Sequence, residues 1–220
     1  MPEVIIQGPA GRLEAKYSPA GAPDAPIALI LHPDPRHGGT MNNKICYSMY
    51  HAFARQGFAT LRFNYRGVGK SQGSWGEVEG ELADASYALQ WLQGYNPNAS
   101  EIWVGGFSFG AYLAMQLLMR RPEIDTWMCV APPANMYDFN FLAPCPSSGL
   151  IIQGDKDQVV PQGSVDKLVA KLNMQRDINI DYRTISGAGH FFTNEMPMLE
   201  AHIDDYLAKF YRPEAIALAS

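Results

Sequence analysis

Cysteine is scarce in this 220-residue chain: Cys46, Cys129 and Cys145 are an odd number with no metal or redox spacing. Neither a disulfide framework nor a zinc site is expected, and reduced, buried thiols of a cytoplasmic protein are the plain reading. Long apolar runs are missing too; nothing approaches the ~20 residues a helix needs to cross a bilayer. The N-terminus lacks the basic-then-apolar layout of a signal peptide, so no membrane association is expected. Basic charge is in deficit, with 17 Lys and Arg against 22 Asp and Glu. The formal net charge of -5 favours solubility and argues against nucleic-acid binding. There is no internal repeat, low-complexity tract or long linker, and residues 19–26 form a turn-rich connection. Two nucleotide fingerprints fail as well. Gly69-Lys70-Ser71 ends like a phosphate-binding loop but has Asn64 where the leading glycine belongs. Gly67-Val68-Gly69 begins like a dinucleotide motif but has Gln72 at the third glycine position. The stretch reads instead as a glycine-rich turn near a site mouth.

What remains is a regular alternation of strands and helices. Strand patterns fall at residues 4–6, 13–17, 26–31, 59–64, 101–105, 127–131, 149–154 and 178–185. Helical patterns fall at residues 45–56, 111–121 and 198–210. The first two strands read as an antiparallel pair. The rest predict an α/β fold, with a mostly parallel eight-stranded sheet covered by helices on both faces. A single domain over residues 1–220 is expected. Residues 212–220 form a tail that either frays or docks on a neighbouring copy, which leaves a homodimer open.

Gly106-Phe107-Ser108-Phe109-Gly110 is the most informative stretch. It joins a buried strand to a helix that is stopped by Pro122. A serine at such a turn, with glycines two residues away on either side, is a nucleophile elbow. The turn strains the serine backbone and lifts its hydroxyl above the sheet. The helix after it directs N–H groups and a positive dipole end at negative charge forming beside Ser108.

The partners of an activated serine follow in order. Residues 149–154 form an apolar strand that runs into Asp155-Lys156-Asp157. The strand at 178–185 runs into the turn Ser186-Gly187-Ala188-Gly189-His190. The order Ser, Asp, His is that of the α/β-hydrolase fold, not of the other familiar serine triads. His190 would take the proton of Ser108, and Asp157 would hold the imidazole in the required tautomer. Asp155 is the rival acid, but directly after the strand glycine it suits a turn-forming role. His51 and His202 fall within helical patterns and read as ordinary helix residues. His32 and His37, with Asp34 between them, lack zinc spacing, so no metal or other cofactor is expected.

In this fold the loop after the strand at 26–31 gives one oxyanion N–H, and the residue after the nucleophile gives the other. Here the second donor is Phe109. In His32-Pro33-Asp34-Pro35 the prolines have no N–H, which leaves Asp34 as the first. An acidic side chain so close to an oxyanion must point away or be paired, and Arg36 is at hand.

Three stretches together, His32-Pro33-Asp34-Pro35 with Gly38-Gly39-Thr40-Met41-Asn42-Asn43, Leu61 through Ser71, and Gly106 through Ala111, resemble small bacterial α/β-superfamily hydrolases. That group is related to dienelactone hydrolases and serine esterases. The resemblance runs over nearly the whole chain and implies a serine hydrolase without a full cap domain, with Ser108, Asp157 and His190 on the triad positions. Dienelactone hydrolases proper resemble a cysteine-nucleophile variant, and Ser108 argues against that activity. The resemblance implies no substrate.

Residues 132–148, where larger relatives insert a lid, are too few for a cap. Their apolar members, Met136, Tyr137, Phe139, Phe141 and Leu142, read equally as a flap or as core beneath a loop. Candidate substrate-lining residues are His32, Met41, Phe107, Tyr137 and Phe191. An open site of this kind suits a small-molecule ester with a small or flexible acyl group. A thioesterase or peptidase on the same three residues is the enzymatic rival, and a non-catalytic scaffold is the reading from another class.

Overall fold

The computed structural model describes residues 3–210, with the side chain of Phe210 excepted. The expectation of a frayed or docking tail at 212–220 lies outside the described residues. Eight strands form one sheet: β1 (Glu3–Gly8), β2 (Gly11–Ser18), β3 (Ile27–Leu31), β4 (Ala59–Phe63), β5 (Ile102–Phe107), β6 (Thr126–Val130), β7 (Gly149–Gly154) and β8 (Ile180–Ile185). Their order is β1-β2-β4-β3-β5-β6-β7-β8. β1 and β2 pair antiparallel with each other, β2 pairs antiparallel with β4, and β3 through β8 run parallel. This is the α/β-hydrolase fold that the strand pattern predicts.

Alternation of buried side chains explains why the sheet carries helices on both faces. In β3, Ile27, Leu29 and Leu31 enter one core while Ala28 and Ile30 enter the other. Each buried Leu or Ile contributes roughly 1.5–3 kcal/mol, so neither face of such a strand can be left to water. The first core is closed by α2 (Glu79–Tyr95), α3 (Phe109–Leu118) and α4 (Gln162–Asn173). The second is closed by α1 (Lys44–Arg55) and α5 (Met196–Phe210). No pattern announces the start of α2, because its end is closed from inside. The buried Glu81 carboxylate accepts the N–H groups of Gly76 at 2.9 Å and Val78 at 3.1 Å. Among the described residues, no helix is long and apolar enough to cross a membrane.

Strand order positions the site. β3 has β4 on one side and β5 on the other, so the loops leaving β3 and β5 turn away from each other and open a crevice at the strands' carboxyl ends. Ser108 follows β5, Asp157 follows β7 and His190 follows β8, all at that end. The connection from β6 to β7 carries no helix.

Candidate active site

Sterics dictate the conformation of Ser108. Its φ is 54° and its ψ -119°, a backbone that L side chains rarely adopt. The turn is so tight that a Cβ on Gly106 would stand 2.2 Å from the Gly110 oxygen. A Cβ on Gly110 would stand 2.2 Å from the oxygen of Leu31, so glycine is required where α3 crosses β3. Ser108 N–H donates to the Val130 carbonyl at 2.9 Å, and the Ser108 carbonyl starts α3 by accepting from Ala111 at 2.8 Å.

The hydroxyl of Ser108 lies 3.1 Å from His190 Nε2, and His190 Nδ1 lies 2.8 Å from Asp157 Oδ2. Burial pushes the Asp157 carboxyl up, but bonds from His190, Val160 and Val159 outweigh it and hold it below the usual carboxylate range. An ionised carboxylate only accepts, so Nδ1 carries a proton toward Asp157, and Nε2 is the nitrogen that faces Ser108. Asp157 is fixed on its other oxygen by the N–H groups of Val159 at 2.9 Å and Val160 at 2.7 Å. The buried Gln153 adds a bond from Nε2 to Oδ2 at 3.1 Å. No sequence signal marks Gln153, which looks like any polar residue ending a strand. Asp155 is elsewhere engaged: it accepts Gly187 N–H at 2.7 Å and the Ser186 hydroxyl at 3.2 Å, clamping the turn ahead of His190.

The loop after β3 adopts a short 3-10 turn at Pro35–His37. Asp34 lies in the pocket wall with its carboxylate tied to Arg36, whose Nη2 stands 2.7 Å away. Burial pushes that carboxyl up, and the Arg36 side chain and N–H more than reverse this, leaving it below its ordinary value. The charge near the pocket is therefore compensated. Among the described residues, the backbone N–H groups of Asp34 and Phe109 have no protein acceptor.

These residues meet in a cavity of about 670 Å³ that includes Ser108, His190, Asp34 and Phe109. One wall is apolar, formed by Pro133, Met136, Tyr137, Val159 and Phe191. The other carries Arg36, His37 and Asn43. Tyr137 and Phe191 line the cavity, with Phe191 60% exposed beside the imidazole.

Three expected lining residues do not. His32 is fully buried, its ring between the Pro33 carbonyl and Tyr65 N–H. Met41 is buried, its N–H donating to Asn64 Oδ1 at 2.8 Å and its carbonyl accepting from Arg62 at 2.6 Å. Phe107 is buried in the second core with its ring beside the imidazole, ring centres 5.0 Å apart. Sequence proximity to the site misled in each case, because the side chain is buried away from the cavity. Residues 132–148 divide between the two readings left open. Phe139 and Leu142 are core, while Met136 and Tyr137 face the cavity. The glycine-rich turn at 67–73 packs on β2, with Lys70 N–H on Glu14 and Gln72 on Arg12, away from the cavity lining.

Residues 12–184 match the X-Pro dipeptidyl-peptidase (S15) family. A protein of unknown function and candidate α/β hydrolase from Agrobacterium tumefaciens is 54% identical, with 95% of this chain and 96% of that one superposing at a TM-score of 0.93. An α/β serine hydrolase without a lid from Xanthomonas campestris is 27% identical over 96% and 95% of the two chains, at a TM-score of 0.85. The lysophosphatidylserine lipase ABHD12 of Rattus norvegicus is 25% identical over 95% of this chain, which spans 62% of that protein's length. With the elbow, the sheet order and the uncapped crevice, the match over most of its length places this chain in the S15 family of the α/β serine hydrolases, among members without a lid.

Proposed function

We propose that the chain cleaves carboxylic esters of small or flexible acyl groups through an acyl-enzyme on Ser108, with His190 and Asp157 completing a triad and no metal or organic cofactor. The observation that carries this reading is the aligned hydrogen-bond line from Asp157 through His190 to Ser108, ending at the floor of an open cavity. His190 Nε2 takes the Ser108 proton as the hydroxyl oxygen attacks the ester carbonyl. Asp157 stabilises the imidazolium that forms. The unengaged N–H groups of Asp34 and Phe109 bind the developing alkoxide, with the Asp34 carboxylate neutralised by Arg36. His190 then protonates the departing alcohol, and water releases the acid by the same steps in reverse. The wall of Met136, Val159 and Phe191 takes the apolar part of the substrate, and its openness favours short or flexible groups. A small-molecule substrate fits a cavity of this volume. Three unpaired, buried thiols suit a reducing, cytoplasmic setting.

The S15 match favours one second reading, peptide hydrolysis on the same residues. Fluorophosphonate labelling with peptide mapping tests the shared part: stoichiometric adduct at Ser108 is expected. Short-chain p-nitrophenyl esters, acyl thioesters and X-Pro peptide amides then separate the readings. Turnover of the amides at rates matching the esters would displace the ester reading. A folded protein that neither labels nor turns over any of them would be a scaffold.

A further inference from the structure

His32 is wholly buried beside the site and takes no part in the proton transfers above. Its Nδ1 lies 2.7 Å from the Pro33 oxygen, and a carbonyl can only accept, so Nδ1 carries the proton. Its Nε2 accepts from the Tyr65 N–H at 3.2 Å. Both nitrogens are thus used by one neutral tautomer. The Tyr65 hydroxyl donates back to the His32 carbonyl at 3.2 Å, and the two rings lie 4.0 Å apart. The imidazole has one pose.

The peptide it holds is the one that matters. The Pro33 carbonyl and the Asp34 N–H belong to the same peptide unit, which is trans. In a trans peptide those two groups point in opposite directions. A bond that pins the Pro33 oxygen inward therefore aims the Asp34 N–H outward. That N–H has no protein acceptor among the described residues. Gly39 closes on the same carbonyl so tightly that a Cβ there would stand 2.1 Å from it. From this juxtaposition we propose that His32 is a positioning residue, whose Nδ1–H grips Pro33 O and so directs the Asp34 N–H at the alkoxide formed on Ser108. The assignment rests on the oxyanion role of Asp34 proposed above and extends it to the group that sets its direction.

The alternative is that His32 only fills space under Tyr65, and three variants separate the two. In His32→Asn the amide nitrogen falls where Nδ1 stands and still donates to Pro33 O. In His32→Gln the amide reaches the Nε2 position instead, and in His32→Leu both bonds go. Each is assayed for kcat and KM on a p-nitrophenyl ester that the wild type hydrolyses, for inhibition by phenylboronic acid, and for thermal midpoint. The boronate bound to a serine carries the anionic oxygen that the substrate ground state lacks. His32→Asn is expected to keep kcat within about threefold, while His32→Gln and His32→Leu lose about ten- to a hundredfold in kcat with KM little changed. Boronate affinity should weaken by a similar factor. A His32→Gln variant with wild-type kcat, or a His32→Asn variant as poor as His32→Leu at equal thermal midpoint, overturns the proposal. So does a loss of kcat that leaves boronate affinity untouched. A wild type inert to esters and fluorophosphonate overturns the ester reading and this inference with it. An active wild type with an indifferent His32→Gln overturns this inference alone.

Discussion

Asp157→Asn should remove nearly all turnover from a protein that still folds, and the bonds around the carboxyl show why. Oδ1 accepts two N–H groups, Val159 at 2.9 Å and Val160 at 2.7 Å. Oδ2 accepts from His190 Nδ1 at 2.8 Å and Gln153 Nε2 at 3.1 Å. Asparagine has a single acceptor oxygen and must leave it facing the two backbone donors. Its NH2 group then stands where Oδ2 was, opposite two more donors. Gln153 cannot turn its oxygen inward without losing the bond from Nε2 to the Val160 carbonyl at 2.8 Å. His190 can adapt, by carrying its proton on Nε2 and accepting on Nδ1. Nε2 then donates to Ser108 and can no longer take its proton. A base locked in the wrong tautomer loses roughly 10⁴ in kcat, about 5.5 kcal/mol of barrier. The weakened hydrogen bonds should lower stability by about 2 kcal/mol. Ester hydrolysis, a melting curve and nitrogen-15 spectra of the His190 ring test all three parts. Asp155→Asn is the control, since the Asp155 carboxylate bonds Gly187 and Ser186 and not His190. Retention of about a tenth or more of kcat by Asp157→Asn, or a deeper loss in Asp155→Asn, would refute the reasoning.

Ser108→Ala should abolish turnover and labelling, and Ser108→Gly should be more stable than Ser108→Ala by about 1 kcal/mol, because φ is 54° there; equal thermal midpoints would argue against strain at the elbow. Gly110→Ala sets a methyl 2.2 Å from the Leu31 oxygen and 2.7 Å from that of His32. It should cost about 3 kcal/mol or more, read from chemical denaturation, and disturb the loop that carries Asp34. Burial pushes the His32 pKa from 6.5 down to about 3. The unfolded chain therefore binds the proton that the folded one refuses, and stability falls as pH drops below 6.5. By pH 5 the loss from this ring alone is about 2 kcal/mol, and His32→Gln should flatten the acid limb by that amount.

The parts of the site that were legible in sequence are those where one short segment carries the physical constraint. Gly106 and Gly110 bracket Ser108 because backbone atoms occupy the places of their side chains. Apolar strands followed by Ser108, Asp157 and His190 could be ordered along the chain, since parallel strands all place their following loops at one end. Side-chain direction was less legible. His32, Met41 and Phe107 adjoin the site in sequence yet are buried, His32 against Tyr65 and Phe107 under the second helix layer. The apolar members of residues 132–148 gave no sign of which would be core and which would face the cavity, because a loop has no period to separate its faces.

The amino-acid sequence by itself determined the α/β alternation, the strained elbow, the Ser, Asp, His order and the two prolines that leave Asp34 the one N–H between them. Each is a local property, set by backbone sterics and hydrophobic period. Only the tertiary structure decided which carboxylate reaches His190, because Asp155 and Asp157 differ by which way one turn after β7 faces β8. It also decided that His32 grips Pro33 instead of facing the cavity, since Tyr65 stands just beyond the end of β4, which lies beside β3 only once the sheet has formed. Contacts between residues distant in the chain depend on strand order, and no window of sequence contains it.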